Sequence, residues 1–331
     1  MINKKKLGQY FTKKNLWLKP QIKHFIEDSN CSIAYDPYAG KGDLINISNE
    51  YGINETKGLD IDKDLNWEIN DSLKNIPHIE NAIIITNPPY LTIYSASRKH
   101  ISIGMEDYFK NHTDLYQLAI DKMLEAQDYV VAIVPETYIN SNYIGDHKER
   151  LYSITILLKN PFDDTENPVC VVCFDNNTSK DRETLVYIED EYINTLEYLN
   201  SKRLNPKNNI KIDFNVPTGN LAIRAVDMPT THKRIEFMNV NRLEYNLKNI
   251  KNSSRLITVV DVKSNVNIDT LVHKCNIILS NFREDTNSIM LSPFKGNAKD
   301  GTRRRRLDYK TARAIIENAY QEMMEEMNNA N

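Results

Sequence analysis

Continuous apolar runs and amphipathic stretches alternate along the first half of this chain. Ala82-Ile83-Ile84-Ile85 and Tyr129 to Pro135 have the length and uniform hydrophobicity of strands that are buried on both faces. Between them, Asp114 to Gln127 carries apolar residues at helical spacing, which predicts a helix that packs on a core. The apolar positions of this helix are Leu115, Leu118, Ala119, Met123 and Ala126. The alternation predicts an α/β fold with a doubly wound, Rossmann-like sheet.

Three further apolar runs extend the predicted sheet. Ser32 to Tyr35 precedes the Ala82 run by roughly fifty residues, about the length of two βα units. Ile154 to Leu158 and Val169 to Phe174 are separated by a polar segment, which predicts an antiparallel hairpin at the end of the sheet. This pattern stops near Asn176 to Ser179, so we place a domain boundary at residue 178.

The second half of the chain, residues 179–331, predicts a separate α+β domain. Pro217 to Asn220 is a candidate turn. Asp308 to Met327 predicts a terminal helix whose apolar stripe packs on the core. That stripe consists of Ala312, Ile315, Ile316, Ala319 and Met323.

Asn87-Pro88-Pro89-Tyr90 follows the Ala82 strand and carries the chemistry that most narrows the function. An exocyclic amine on a base is a poor nucleophile, because its lone pair is delocalised into the ring. The side-chain oxygen of Asn87 and the carbonyl of Pro88 could accept its hydrogens, and the prolines fix the direction of that carbonyl. Tyr90 offers a face on which a base can stack. A simple strand-end turn is the structural alternative.

Asp36-Pro37-Tyr38-Ala39-Gly40-Lys41-Gly42-Asp43 follows the first strand and predicts a ligand-binding turn. Glycine occurs only 10 times in the chain, and a Gly-x-Gly turn lets the backbone approach a ligand at a strand end. A third glycine at the dinucleotide spacing and a Gly-Lys-Ser/Thr sequence are both missing from the sequence, which disfavours a dinucleotide or P-loop site.

The octapeptide and the later Thr86-Asn87-Pro88-Pro89-Tyr90 resemble motifs I and IV of S-adenosylmethionine-dependent DNA methyltransferases that modify adenine N6. Gln9-Tyr10-Phe11-Thr12 resembles motif X of that family, which covers the methionine end of the cofactor. Gly58 to Asp62 and Asn70 to Leu73 resemble motifs II and III. The order of these motifs, with a recognition domain last, is similar to the gamma class.

The resemblance implies a role for each matching residue. Asp60 would bind the ribose hydroxyls, Ile61 would pack on the cofactor's adenine, and Asp71 would accept from its amino group. The cofactor-binding residues implied in this way are Gln9, Tyr10, Phe11, Thr12, Asp36, Pro37, Tyr38, Ala39, Gly40, Gly42, Asp60, Ile61, Asp71, Ser72 and Asn87. The catalytic residues implied are Asn87, Pro88, Pro89, Tyr90 and Phe162.

Phe162 falls where the family has an aromatic that sandwiches the extruded base against the motif IV aromatic. An ordinary core position is the alternative, but the polar turn Pro161 to Asp164 makes core burial awkward. The resemblance implies methyl transfer from S-adenosylmethionine to a flipped adenine in duplex DNA. A cognate restriction endonuclease is a possible separate partner.

Other methyltransferases remain alternatives. Protein glutamine methyltransferases share Asn-Pro-Pro-Tyr, but they carry their extra domain before motif I. Ribosomal-RNA adenine methyltransferases share the Gly-Gln-aromatic start but commonly differ between the Asn and Pro of motif IV. Cytosine-N4 enzymes use the same architecture, often with serine in place of the asparagine. A catalytically inactive DNA-binding relative is the non-enzymatic alternative.

Composition limits the partners that we expect. A chain of 331 residues exceeds one usual domain, and its net charge of −3 requires any DNA contacts to come from local basic patches. The candidate DNA contacts are Arg224, Lys295, Arg303, Arg304, Arg305 and Arg306. The sequence has neither a long apolar span nor a signal-peptide pattern, so we expect a cytoplasmic monomer.

The four cysteines and seven histidines show no convincing ligand spacing, so we expect no metal. Cys170 and Cys173 have the spacing of metal ligands, but they lie in a strand-like run without a second pair. We therefore expect buried thiols at both positions.

Overall fold

The computed structural model describes residues 16–98, 105–162, 166–176, 182–228, 233–251, 254 and 256–329. Nine strands of the first half form one sheet. These strands are β1 (Ile33–Asp36), β2 (Glu55–Asp60), β3 (Glu68–Ile69), β4 (Ala82–Thr86), β5 (Tyr129–Pro135), β6 (Leu151–Leu157), β7 (Val169–Asp175), β8 (Leu185–Ile188) and β9 (Glu191–Thr195). Their spatial order is β3-β2-β1-β4-β5-β7-β6-β8-β9.

The centre of this sheet is parallel, and its carboxyl ends share one edge. β1 pairs in parallel with β2 and with β4, and β4 pairs in parallel with β5. Every residue of β4 is buried, as expected for a strand covered on both faces. Chain direction reverses after β5, where β7 inserts antiparallel between β5 and β6. The predicted doubly wound α/β sheet with its closing hairpin is confirmed.

The helices of the first half are α1 (Pro20–Asp28), α2 (Ile93–Arg98) and α3 (Leu115–Ala126). α3 is the helix predicted between the two apolar strands, and Asp114 and Gln117 form a capping box at its start. The described part of the chain also contains six 3-10 segments, which are Ile45–Tyr51, Glu106–Phe109, Glu136–Asn140, Asn142–Arg150, Val240–Arg242 and Leu247–Asn249.

The chain divides into two compact units, Met1–Leu196 and Glu197–Asn331. The boundary predicted at residue 178 lies inside the first unit, because β8 pairs in parallel with β6 and β9 pairs with β8. Residue 178 thus falls between β7 and β8, two strands of the same sheet. Cys170 and Cys173 lie in β7 with fully buried, unbridged side chains, as predicted.

The second unit is α+β. Its elements are α4 (Leu196–Ser201), which begins at the last residue of the first unit, β10 (Ile212–Phe214), β11 (Leu221–Arg224), β12 (Glu236–Asn239), β13 (Ile257–Val262), α5 (Ile268–Asp285), β14 (Ser292–Asn297), β15 (Arg303–Arg306) and α6 (Tyr309–Asn329). A four-stranded antiparallel sheet has the order β10-β13-β11-β12, and β14 and β15 form a hairpin. α5 packs against β12 and α6, and all five residues of the predicted α6 stripe are buried.

Asp227 organises the interior of the second unit. Its fully buried carboxylate receives two guanidinium hydrogen bonds from Arg283, at 3.1 and 3.0 Å. The backbone N–H groups of Ile235 and Arg305 donate to the same carboxylate at 3.1 and 3.0 Å. A buried charge is tolerated when it is paired and hydrogen-bonded in this way. Of the helices described, none is long and apolar enough to cross a membrane.

Candidate functional site

The turn after β1 begins at a buried carboxylate. Asp36 is 2% exposed, and its Oδ1 accepts hydrogen bonds from the Tyr38 backbone N–H at 2.9 Å and from the Thr86 hydroxyl. Burial raises the pKa of Asp36 to about 7, although both hydrogen bonds oppose the shift. Because Thr86 ends β4, this contact joins the ends of two neighbouring parallel strands.

Asp60, at the end of β2, holds the glycine turn to the sheet. Its two carboxylate oxygens accept from the Gly40 and Asp62 backbone N–H groups, each at 2.8 Å. Gly40 and Gly42 both have positive φ, +54° and +80°, the left-handed conformation that glycine adopts at least cost. Each carboxylate oxygen has a further lone pair, so Asp60 can still accept from a ligand hydroxyl.

Trp67 packs against the same turn and was missed by the sequence reasoning. Its indole N–H donates to the Gly40 carbonyl at 2.9 Å. A Cβ added at Gly42 would lie 2.8 Å from the indole, and one added at Gly58 would lie 2.5 Å from it. The available signal was that Trp67 is one of only 2 tryptophans and lies in an otherwise polar segment.

A cavity of about 230 Å³ opens at the carboxyl edge of the sheet. Its lining includes Pro37, Tyr38, Asp60, Ile61, Asp71, Ser72 and Pro89, all of them predicted site residues. Four sequence-distant motifs therefore meet at one cavity. The lining also includes Asn70, Leu73, Met105, Tyr108 and Leu115, which were not among the candidate residues. Ile61 is 54% exposed and lines this cavity, so its side chain is available to pack on a flat ring.

Asp71 lies on one wall of the cavity, bound to two neighbouring side chains. The Tyr108 hydroxyl donates to its Oδ2 at 2.7 Å, and the Lys74 ammonium lies 3.0 Å from the same oxygen. Burial and the contact with Asp71 raise the pKa of Tyr108. Tyr38 also lines the cavity and donates its hydroxyl to the Ser72 carbonyl at 3.0 Å. The polar groups are thus held in place around an apolar interior.

The Asn87-Pro88-Pro89-Tyr90 segment starts directly after β4, as predicted. The Tyr90 hydroxyl contacts the Asn87 side-chain oxygen and also the Ile133 carbonyl, at 2.6 Å. Tyr90 is 9% exposed, while Asn87 is partly exposed. The tyrosine hydroxyl therefore holds the Asn87 carboxamide in one orientation.

Phe162 lies beside Tyr90, with ring centroids 6.4 Å apart and an interplanar angle of 62°. The expectation that its polar turn would keep Phe162 out of the core is wrong, since the side chain is only 4% exposed. Its backbone N–H donates to Asn160 Oδ1 at 3.0 Å, which shapes the turn around it. Phe162 therefore lies beside Tyr90, as the resemblance implied. Its role in holding an extruded base stays a prediction.

The predicted motif X residues Gln9 to Thr12 lie outside the described residues. Across the described ranges, no group of three or more histidine, cysteine, aspartate or glutamate side chains is arranged to hold a metal ion.

The arginine run of β15 is divided between the interior and the surface. Arg303 and Arg305 are 8% and 2% exposed, so in this structure they do not face solvent as DNA contacts would. Strand alternation is the reason, because successive side chains of β15 point to opposite faces. Arg304 is partly exposed and donates to the carbonyls of Asp227 and Lys295, at 2.9 and 3.0 Å.

The other predicted DNA contacts of the second unit are more accessible. Lys295 is exposed and Arg306 is partly exposed. Arg224 forms an ion pair with Glu236 on the adjacent strand, and this pairing partly neutralises the charge of Arg224.

The first part of the chain is similar to a known protein family. Residues 2–157, just under half of the chain, match the family model described as the Eco57I restriction-modification methylase. The match confirms the resemblance to DNA methyltransferases over the part that carries the motifs, while the gamma-class order stays a prediction. Phe162 and the whole second unit lie beyond the matched residues. A search of curated proteins finds no match.

Solved structures of restriction-modification subunits are among the structural neighbours. A modification subunit of a type I restriction enzyme from Vibrio vulnificus is 13% identical, covering 55% of this chain and 47% of that chain, with a TM-score of 0.40. The methyltransferase subunit of a type I system from Streptococcus thermophilus is 14% identical, covering 59% and 53%, with a TM-score of 0.40. The chain spans about half the length of these structures, and similarity at this level carries no argument about activity.

Proposed function

We propose that this protein is an S-adenosylmethionine-dependent DNA methyltransferase that modifies N6 of adenine in duplex DNA. The observation that carries the proposal is the position of Asn87-Pro88-Pro89-Tyr90. This segment begins at the end of β4 and, through Pro89, borders the cavity that three predicted cofactor motifs also line. The family match to a restriction-modification methylase supports the same reaction class.

The cavity suits the nucleoside part of S-adenosylmethionine. Exposed Ile61 can cover one face of the adenine, and Leu73, Met105 and Leu115 add apolar surface. Asp60 would accept from the ribose hydroxyls and Asp71 from the adenine amino group, both as hydrogen-bond acceptors at the cavity wall. When bound, the cofactor supplies an activated methyl group on a sulfonium.

Asn87 and Pro88 would act on the amine that receives the methyl group. Their oxygens accept hydrogen bonds from the amino hydrogens, and these bonds strengthen as positive charge grows on nitrogen. No strong base is needed, because the methylated ammonium loses its proton readily to water. The Tyr90 hydroxyl, in contact with both Asn87 and the Ile133 carbonyl, keeps the carboxamide aimed while the Tyr90 ring offers its face to the base.

Base extrusion would use Tyr90 and Phe162 as neighbouring aromatic surfaces. Their present edge-to-face contact leaves no base-sized gap between the rings, so we expect one ring to shift when a flipped adenine enters. Stacking on such rings contributes about 1–3 kcal/mol per base. This energy offsets part of the cost of unstacking the base from its helix.

The second unit would supply DNA recognition, with Lys295, Arg304 and Arg306 as the accessible cations of the β14-β15 hairpin. The protein would then act as a monomer on DNA in the cytoplasm, with any restriction endonuclease working separately.

The substrate class is tested by supplying labelled S-adenosylmethionine with duplex DNA, ribosomal RNA or a release factor in separate reactions. Label in N6-methyladenine of duplex DNA is the expected result, and sequencing of that DNA gives the recognition site. Label only in N4-methylcytosine, RNA or protein would refute the proposal, as would no transfer to any of them.

We predict that Asn87→Ala lowers turnover by about 10²–10³-fold, because it removes one preorganised acceptor from the developing charge. Cofactor affinity, measured by isothermal titration, should stay close to that of the unchanged protein. Asn142→Ala, in a 3-10 segment that contributes no residue to the cavity lining, is the control and should leave turnover unchanged. Turnover of Asn87→Ala equal to that of this control would remove Asn87 from the mechanism.

A further inference from the structure

The chain that leaves the Asn87–Tyr90 segment is fastened to the start of α3. The backbone N–H of Leu91 donates to Asp114 Oδ1 at 3.0 Å. In return, the backbone N–H of Leu115 donates to the Leu91 carbonyl at 3.1 Å, and Thr92 pairs with Asp114 as an antiparallel bridge. A side-chain bond and two backbone contacts therefore hold the first residues after Tyr90.

Asp114 is buried where it makes these contacts. It is 9% exposed and immediately precedes α3, where the Gln117 side-chain oxygen accepts from the Asp114 backbone N–H at 3.2 Å. Burial raises the pKa of Asp114 to about 6, although the backbone N–H groups of Tyr116, Leu91 and Leu115 oppose the shift. A buried carboxylate is costly unless backbone donors compensate it, and Leu91 is one of those donors.

Leu91 matters because the two prolines before it, Pro88 and Pro89, cannot donate backbone hydrogen bonds. Pro88 and Pro89 have no N–H, so the Leu91 amide is only the second backbone donor after Asn87. The fixed φ of the prolines makes the segment stiff. Its amino end is fixed by β4, and a constraint on Leu91 therefore fixes the direction of the whole segment.

We propose that Asp114 is a positioning residue for the Asn87–Tyr90 segment, holding the Leu91 amide so that the Asn87 carboxamide and the Tyr90 ring keep their placement. The role rests on the proposed methyl transfer, because it is the amine-binding geometry that Asp114 maintains. Asp114 itself touches neither substrate nor cofactor in this scheme. Its carboxylate acts through the backbone of Leu91.

The alternative is that Asp114 only caps α3, and the test must distinguish that structural role from positioning of the Asn87–Tyr90 segment. Asn267 provides the matched control, because it caps α5 in the second unit by accepting from the Thr270 backbone N–H at 3.0 Å. Loss of either cap should destabilise the helix that it begins to a similar extent. Only the Asp114 cap is connected to the tetrapeptide.

The experiment compares full-length Asp114→Ala, Asp114→Asn and Asn267→Ala by steady-state kinetics and by hydrogen exchange of the Leu91 amide. Asp114→Ala should speed exchange at Leu91 and lower kcat by about 10²-fold, the effect expected of a misplaced catalytic group. Asp114→Asn keeps a side-chain oxygen for the Leu91 N–H. Its Leu91 exchange rate and its kcat should therefore stay close to those of the unchanged protein. Asn267→Ala should leave both signals unchanged.

Three results would overturn the inference: unchanged Leu91 exchange in Asp114→Ala, equal kcat losses in Asp114→Ala and Asn267→Ala, or a loss in Asp114→Ala that appears entirely in KM. If the unchanged protein methylates no substrate, the proposed function fails. The exchange of Leu91 then still decides whether Asp114 holds the segment.

Discussion

At the scale of single residues, the site depends on side chains that hold other side chains. The Tyr90 hydroxyl contacts the Asn87 oxygen, and Asp60 holds the Gly40 N–H, so two predicted ligands are also structural supports. Such bonds keep catalytic and binding groups in one geometry before a substrate arrives. Asp36 is a third buried support of the site, only 2% exposed. Its raised pKa makes the effect of its protonation on stability measurable.

We predict that Asp36→Asn changes how the stability of the first unit depends on pH. The folded state raises the pKa of Asp36 to about 7, so it binds this proton more tightly than the unfolded chain does. The stabilising contribution of the protonated carboxyl is therefore fully present below about pH 4 and is lost as pH rises toward 7. Between pH 5 and 7, the free energy of unfolding of Asp36→Asn should rise relative to that of the unchanged protein by about 1.4 kcal/mol per pH unit.

Urea unfolding of the cofactor-free proteins at pH 5, 7 and 8 measures this difference. Both tryptophans, Trp17 and Trp67, belong to the first unit, so their fluorescence follows that unit. The difference should level off above pH 7. A difference that stays constant from pH 5 to 8 would mean that Asp36 is already ionised in the folded protein.

At the scale of elements, the glycine turn is shaped by packing as well as by backbone freedom. Trp67 covers Gly42 and Gly58 and bonds to the Gly40 carbonyl, so the short segment after β2 supports the end of β2 and the turn after β1. Gly58 has no positive φ, so its missing side chain serves only this close approach.

We predict that Gly58→Ala destabilises the first unit by about 1–3 kcal/mol, because its Cβ would overlap the indole of Trp67. Adding Trp67→Leu to Gly58→Ala should recover part of the lost stability, which would show that the two positions are energetically coupled. Gly145→Ala is the control, since its added Cβ would meet no atom within 4 Å. Urea unfolding followed by circular dichroism measures the unchanged protein, both single variants, the double variant and the control, and additive effects of Gly58→Ala and Trp67→Leu would exclude the packing explanation.

At the scale of the whole molecule, positive charge in the second unit serves two purposes. Arg283 and the backbone of Arg305 satisfy the buried Asp227, whereas Lys295 projects from β14 into solvent. The run of four arginines therefore combines interior support with surface charge. Net charge of −3 leaves any attraction to DNA dependent on the few cations that remain accessible.

We predict that Lys295→Gln weakens DNA binding at every sequence and lowers the slope of log affinity against log salt by about 1, as expected for one lost phosphate contact. Arg305→Gln, which alters a side chain only 2% exposed, should instead destabilise the second unit. Fluorescence anisotropy over a salt series and thermal unfolding distinguish the two effects. Weaker DNA binding by Arg305→Gln at unchanged stability would show that this buried face opens on DNA.

The sequence by itself determined the sheet and the residues at its carboxyl edge. Buried strands such as β4 and β5 are continuous apolar runs, so periodicity was enough to predict the sheet and the segments that follow two of its strands. Asp60 and Asp71 were assigned through the resemblance to methyltransferase motifs, and the structure places them with Pro89 at one cavity because parallel strands bring their carboxyl ends to one edge.

Only the tertiary structure decided which side chains support the site and which face solvent. Trp67, Tyr108 and Asp114 act through contacts with residues 20 or more positions away, and no local pattern records such contacts. The burial of Phe162 and Arg305 was likewise decided by neighbouring elements rather than by the polar residues beside them. The boundary after Leu196 followed from the pairing of β8 with β6, a long-range hydrogen-bond pattern that composition does not encode.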